Sequence, residues 1–166
     1  DNAATSPDGL KNASKLIPNS GTGGNRSVGK PFTGLSGIHT FSTFAKAGEY
    51  DYVSLRMRNA PSALVMFDLS DGSVHNIVDG GGQYVTNSAK VEDFGNGWYR
   101  CSASFDPSNS VAIGDLYPSL SVGITGDETN NFNGDGTSGI YIYGTQLEHG
   151  REIYENPATT KVAEIT

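Results

Sequence analysis

The constraint that most narrows the fold is the triplet Gly95-Asn96-Gly97, set directly against Trp98-Tyr99-Arg100-Cys101-Ser102. Glycine takes positive φ without steric penalty, so Gly-Asn-Gly between two strand-forming runs reads as a tight hairpin turn. The strand entering it spans Tyr84 to Asp93 and the strand leaving it spans Trp98 to Phe105, which holds the chain's only tryptophan and only cysteine. Side chains alternate across a strand, so Tyr99, Cys101, Ala103 and Phe105 share one face. Trp98, Arg100, Ser102 and Ser104 share the other.

The rest of the chain is punctuated in the same way. Glycine supplies 22 of 166 residues, about twice the usual share, which favours many short strands joined by tight turns over long helices. Ser14 to Ile17 and Asn25 to Lys30 read as short strands, and Ile38 to Lys46 as a longer one with an aromatic on each face. Tyr52 to Asn59 alternates most cleanly, with Val53, Leu55 and Met57 against Ser54, Arg56 and Arg58, which predicts a core face and a wet face. Pro61 and the turn Ser70-Asp71-Gly72-Ser73 leave Ser62 to Leu69 too short for a helix, so it pairs as a hairpin with Val74 to Val78. Ser119 to Ile124 is a further strand, and Asp106 to Pro118 and Gly126 to Ser138 are long connections. In Gly139-Ile140-Tyr141-Ile142-Tyr143-Gly144-Thr145-Gln146-Leu147-Glu148, strict alternation puts Tyr141, Tyr143 and Leu147 on one side and Ile140, Ile142, Gly144 and Gln146 on the other. A strand so apolar on both sides belongs inside a sheet.

Roughly nine or ten strands predict an all-β fold, an antiparallel two-sheet β-sandwich, in one domain over 1–166. Residues 1–11 are a lead-in with a turn at Ser6-Pro7-Asp8-Gly9, and 152–166 a tail or edge strand. A chain opening at Asp1 with no initiator Met is expected to be part of a longer protein.

Charge and cysteine usage bound the function. With 18 acidic against 11 basic residues and a formal charge of −7, the chain lacks the clustered cations that nucleic-acid binding draws on. Neutral or weakly charged ligands fit better. Lys11, Lys15, Arg26 and Lys30 are too dispersed among Gly, Ser and Asn to be more than a solvated surface. No apolar run approaches the ~20 residues of a membrane-spanning helix, and the N-terminus lacks a signal-peptide layout. One cysteine excludes an internal disulfide, and Cys101, with no His or basic cluster beside it, reads as a buried apolar residue and not as a nucleophile.

Several segments in order form one pattern: Ala4-Thr5-Ser6-Pro7-Asp8-Gly9, Ala13-Ser14-Lys15-Leu16, His39-Thr40-Phe41-Ser42-Thr43-Phe44-Ala45-Lys46-Ala47, Phe67-Asp68-Leu69, Gly95-Asn96-Gly97-Trp98-Tyr99-Arg100-Cys101 and Ile142-Tyr143-Gly144-Thr145-Gln146-Leu147-Glu148. Over residues 4 to 160 this resembles the carbohydrate-binding-module-like jelly-roll domain of bacteriophage virion proteins (tail, appendage or capsid decoration), also met in some secreted polysaccharide-active enzymes. The first strand that usually precedes the Pro-Asp-Gly turn is absent. The resemblance implies a non-enzymatic structural protein on the virion surface, partnered by other virion proteins and by itself as a symmetric oligomer. The alternative it implies is a carbohydrate-binding module of a secreted enzyme, holding a neutral or cationic glycan.

Sugar recognition needs aromatic faces to stack on pyranose rings and planar side chains to bond hydroxyls. Trp98, Tyr141, Tyr143, Arg56, Arg58 and Gln146 are the candidates, against the reading that strand aromatics are core and Trp98 closes the sandwich beside its turn. Asp127, Glu128 and Asp135 offer oxygen ligands for an irregular structural calcium site; an EF-hand is excluded because Ile142 stands where the bidentate acid belongs. His39, His75 and His149 lie in separate segments without metal-ligand spacing and read as scattered surface residues. No nucleophile elbow or phosphate loop is present, a glycosidase would need two carboxylates facing one cleft, and no enzyme is expected.

Overall fold

The computed structural model describes residues 1–20, 27–32, 35–58, 63–109, 117–123 and 133–154, with the side chains of 58, 109 and 117–121 outside that set. Among the described residues, ten strands form two antiparallel sheets: β1 (Ser14–Leu16), β2 (Ser27–Gly29), β3 (His39–Lys46), β4 (Tyr52–Arg58), β5 (Ala63–Asp68), β6 (Ser73–Asp79), β7 (Lys90–Asp93), β8 (Trp98–Phe105), β9 (Tyr117–Gly123) and β10 (Ile140–His149). The first sheet runs β1-β10-β3-β8-β7 and the second β2-β9-β4-β5-β6. The chain crosses between sheets from β1 to β2, β2 to β3, β3 to β4, β6 to β7, β8 to β9 and β9 to β10, so most sequence neighbours lie in opposite sheets. That crossing pattern is the jelly roll, and the predicted two-sheet sandwich is what the chain forms.

The core lies between the sheets. Val53, Leu55 and Met57 of β4 and Ala63, Val65 and Phe67 of β5 meet Phe41 and Ala45 of β3, Cys101, Ala103 and Phe105 of β8 and Ile140 of β10. Period-two alternation alone accounts for this set, because each strand contributes every second residue. Burial raises the Cys101 thiol far above its usual range, which leaves it protonated and inert as a core residue. The turn after β7 works as its sequence demands: Gly95, Asn96 and Gly97 all take positive φ, at 79°, 54° and 78°. The Asp93 carboxylate accepts the Gly95 N–H at 2.7 Å, and Phe94 N–H donates to Trp98 O at 2.9 Å.

Four expectations change. Strand β7 is shorter than Tyr84 to Asp93, which retains a single bridge, Tyr84 to Phe105, upstream of it. The outward face of β4 is not uniformly wet, since Ser54 is buried beside the buried Leu64 and Met66 of the apolar β5. In β10 the pairing with β3 jumps from Tyr143↔Phe44 to Gln146↔Ser42, so one extra residue is inserted at Gly144-Thr145, where Gly144 has φ 57°. A bulge reverses the parity of everything after it. Ile140, Ile142 and Leu147 therefore all face the main core, and Tyr141 and Tyr143 face outward alone. The same pairing sets His149 opposite His39. His39 is buried, its ring edge-on to His149 at 5.0 Å with Nδ1 3.0 Å from Gly37 O, so it departs from the surface expectation, whereas His149 and His75 are exposed as expected.

Candidate functional site

The outward face of the first sheet divides into a roofed part and an open part. Under the roof, Ala13, Phe44 and Trp98 form a second buried cluster with Ala4, Tyr141 and Tyr143 packed against it. The roof is the lead-in segment. A bridge from Ala4 to Ala13 lays it across the strands, and the indole Nε1–H of Trp98 donates to Thr5 O at 3.0 Å. The Tyr143 hydroxyl donates to Asp8 Oδ2 at 2.8 Å, the Leu10 amide donates to Asp8 Oδ1 at 2.8 Å and Asn12 Nδ2 to Oδ2 at 3.1 Å. Burial raises the Asp8 carboxyl, but the hydrogen bonds from Ser6, the Leu10 amide, Asn12 and Tyr143 outweigh it and hold the group at about 2. Trp98 is 2% exposed, so it closes the sandwich, as its position beside the turn suggested.

The six sugar-site candidates do not converge. Trp98, Tyr141 and Tyr143 come together on the first sheet, where the lead-in segment covers the indole and ties the Tyr143 hydroxyl, while Tyr141 lies under the Lys15 ammonium at 5.7 Å. Arg56 lies on β4 of the other sheet, as does the backbone of Arg58, whose side chain is outside the described set. Gln146 borders an apolar cleft of about 340 Å³ at the open edge between β10 and β2, beside Ile142, Leu147, Phe41, Val28 and Phe32. Of the calcium candidates, Asp127 and Glu128 lie outside the described residues. Asp135 organises its own turn: its carboxylate accepts Ser138 Oγ–H at 2.6 Å and the Ser138 and Thr137 amides at 2.7 and 2.8 Å. Those bonds hold it well below the usual carboxylate range. Among the described residues, no three His, Cys, Asp or Glu side chains gather as a metal site would require.

What the sequence did not single out is the open part of the same face. Thr40, Ser88, Ser102 and Ser104, with Lys90, Glu92, Arg100, Arg151, Glu152 and Ile153, line a polar cleft of about 320 Å³. Its floor is β3 and β8, whose outward residues here are the buried Thr40, Ser102 and Ser104, with Arg100 at one end. Thr40 and Ser104 bond each other at 2.8 Å, and Ser88 Oγ receives the Ser104 amide at 3.0 Å. One wall is β7, where Glu92 accepts Arg100 Nε–H at 2.8 Å. The other is the segment after β10, turned back over the sheet at Gly150 (φ 100°). Gly150 N–H donates to Ile38 O, Thr40 Oγ–H donates to Gly150 O, and the Glu148 carboxylate accepts the Tyr154 amide at 3.1 Å.

Where the two parts meet, the Arg100 guanidinium lies 5.2 Å from the Phe94 ring and 5.8 Å from that of Phe44. Phe94 stands edge-on to Phe44 at 4.8 Å and keeps 42% of its surface exposed. Along one line of β8 the face thus offers an aromatic edge, a guanidinium and a floor of hydroxyls, over ~20 Å from residue 98 to residue 104 at ~3.4 Å per residue. The floor residues Thr40, Ser102 and Ser104 are 1–3% exposed, so a polyol would meet the charged walls and the exposed Phe94 ring. The cleft also holds two carboxylates, Glu92 and Glu152, which residue order alone could not place together; Glu92 is committed to Arg100. No helix of the described residues is long and apolar enough to cross a membrane.

Neither protein-family models nor curated proteins yield a match to this chain.

Proposed function

We propose that this chain is a non-enzymatic jelly-roll domain of a bacteriophage virion, a capsid decoration or part of a tail appendage, that meets its surroundings through a saccharide-binding face. The family resemblance of the sequence supports the virion setting, and other virion proteins and further copies of the chain are its structural partners. The observation that carries the binding role is the polar cleft on the first sheet, bounded by Lys90, Arg100 and Arg151 above buried hydroxyls and continued by the exposed ring of Phe94. Sugars are recognised by this mixture: hydroxyl and planar charged groups fix ring hydroxyls, and an aromatic edge or face covers the apolar side of a ring.

Mass spectrometry of purified particles tests the setting, with the expectation that the chain is present in a fixed ratio to the major shell or tail protein. A second reading, a carbohydrate-binding module of a secreted polysaccharide-active enzyme, draws on the same cleft. It takes over if the protein is missing from particles, monomeric in solution and retained on a polysaccharide column.

A further inference from the structure

The charge of the whole chain and the charge of its polar cleft have opposite signs. The protein carries −7 overall, from 18 acids and 11 bases, yet three of those bases, Lys90, Arg100 and Arg151, line one cleft of about 320 Å³ against two acids, Glu92 and Glu152. Arg100 and Glu92 neutralise each other through a 2.8 Å bond. Lys90 and Arg151 both have exposed side chains, and neither forms a salt bridge with a described carboxylate. They belong to opposite walls, Lys90 to β7 and Arg151 to the segment turned back at Gly150, with the hydroxyls of Thr40 and Ser102 between them.

Resting on the saccharide-binding reading above, we propose that this cleft selects an acidic saccharide, a sugar unit bearing a carboxylate that is held between Lys90 and Arg151. The ring then lies against the cleft walls, because the floor residues Thr40, Ser102 and Ser104 are themselves buried. A guanidinium offers paired N–H donors that match the two oxygens of a carboxylate, and a lysine ammonium adds a point charge. A neutral sugar would leave the excess of positive charge, Lys90 and Arg151 against Glu152, without compensation, and a cationic one would add to it. The negative remainder of the surface repels polyanions generally, so attraction is confined to a ligand small or extended enough to enter this one cleft.

The test compares three polyuronates, polygalacturonate, alginate and hyaluronate, each with its methyl-esterified form, by affinity gel electrophoresis of the full chain. Esterification removes the charge and keeps the sugar backbone. At least one free acid should bind ~10-fold or more tightly than its ester, a preference that weakens as salt rises. The preference should vanish in the Lys90→Ala/Arg151→Ala double variant, whose melting temperature should match the parent because both side chains are exposed. Equal binding of acid and ester would overturn the proposal and leave saccharide binding standing. Retention of neither form by the parent would overturn saccharide binding itself. Preference persisting in the double variant, or dextran sulfate binding as tightly as the best polyuronate, would also overturn it, by moving the site elsewhere or reducing it to unselective charge attraction.

Discussion

Strand β8 presents the same face at both of its ends, and the two ends have opposite fates. At Trp98 that face is roofed by the lead-in segment, the indole is 2% exposed and its only polar atom is bonded to Thr5 O. At Ser102 and Ser104 the face is floored with hydroxyls and bounded by charged side chains that reach water. The difference lies in what each end can gain from being covered. Burying large rings removes apolar area from water and stabilises the fold, whereas burying hydroxyls and ions requires every one of them to be bonded. The protein fills the first end with apolar rings under its own chain, and at the second only the charged walls above the buried hydroxyls are left to exchange water for a ligand.

The largest effect that would test this division is at the roofed end. Trp98→Ala should cost ~3–5 kcal/mol in chemical denaturation, because the indole is buried against Phe44 and Ala13 and the lead-in segment has no other group to fill the space. A loss under ~1 kcal/mol would mean that the roof is not a packed part of the fold. Next in size is Cys101→Ser, which places an extra hydroxyl in the main core beside apolar neighbours and should cost ~1–3 kcal/mol. The wild-type thiol, kept protonated by burial, should react with a thiol reagent only as fast as the protein opens.

A smaller and pH-dependent effect belongs to the latch of the roof. Tyr143→Phe deletes the hydrogen bond to Asp8 and should cost ~0.5–1.5 kcal/mol near neutral pH. The Asp8 carboxyl sits at about 2 in the folded state, below its ordinary value near 4. A group depressed on folding stabilises the protein fully above its unfolded value and loses that contribution as pH falls through the folded one. Acid should therefore loosen the lead-in segment between about pH 4 and pH 2, seen as a rise in Trp98 fluorescence change over that window, and Asp8→Asn should abolish the transition. A transition centred near pH 6 would point to a histidine instead.

How much of this could be read from the residues depended on how far apart the determinants lie. The Gly95-Asn96-Gly97 turn, the hairpin at Asp71-Gly72 and the inward set Val53, Leu55 and Met57 are each specified within a few residues, and all were legible. The bulge at Gly144-Thr145 was not, because one inserted residue leaves composition unchanged yet flips Leu147 to the core side; only the pairing with β3 exposes it. That pairing also joins His39 to His149, 110 positions apart. The cleft was the least legible feature, since Thr40, Lys90, Ser102 and Arg151 come from four separate segments that meet only after both hairpins and the last crossover are in place. The aromatic candidates drew notice as residue types suited to sugars, but the lead-in segment that roofs Trp98 and ties down Tyr143 lies more than 90 positions away from them in sequence.

The smallest expected change in stability sharpens the comparison from the open end. Glu92→Gln removes the carboxylate that pairs with Arg100 while keeping the size and shape of the side chain. An ion pair whose carboxylate side chain is 45% exposed contributes little, so the variant should remain within ~0.5 kcal/mol of the parent in denaturant titration. Its binding should change more. With the pair broken, the Arg100 guanidinium loses its Glu92 carboxylate and adds positive charge to the cleft, while its contacts with Phe44 and Phe94 keep it in place. Affinity for a polyuronate should rise, and affinity for the corresponding methyl ester should stay where it was. If the same substitution instead destabilised the protein as much as Tyr143→Phe, the open end would be bearing structural load like the roofed end, and the two halves of the face would no longer differ in kind.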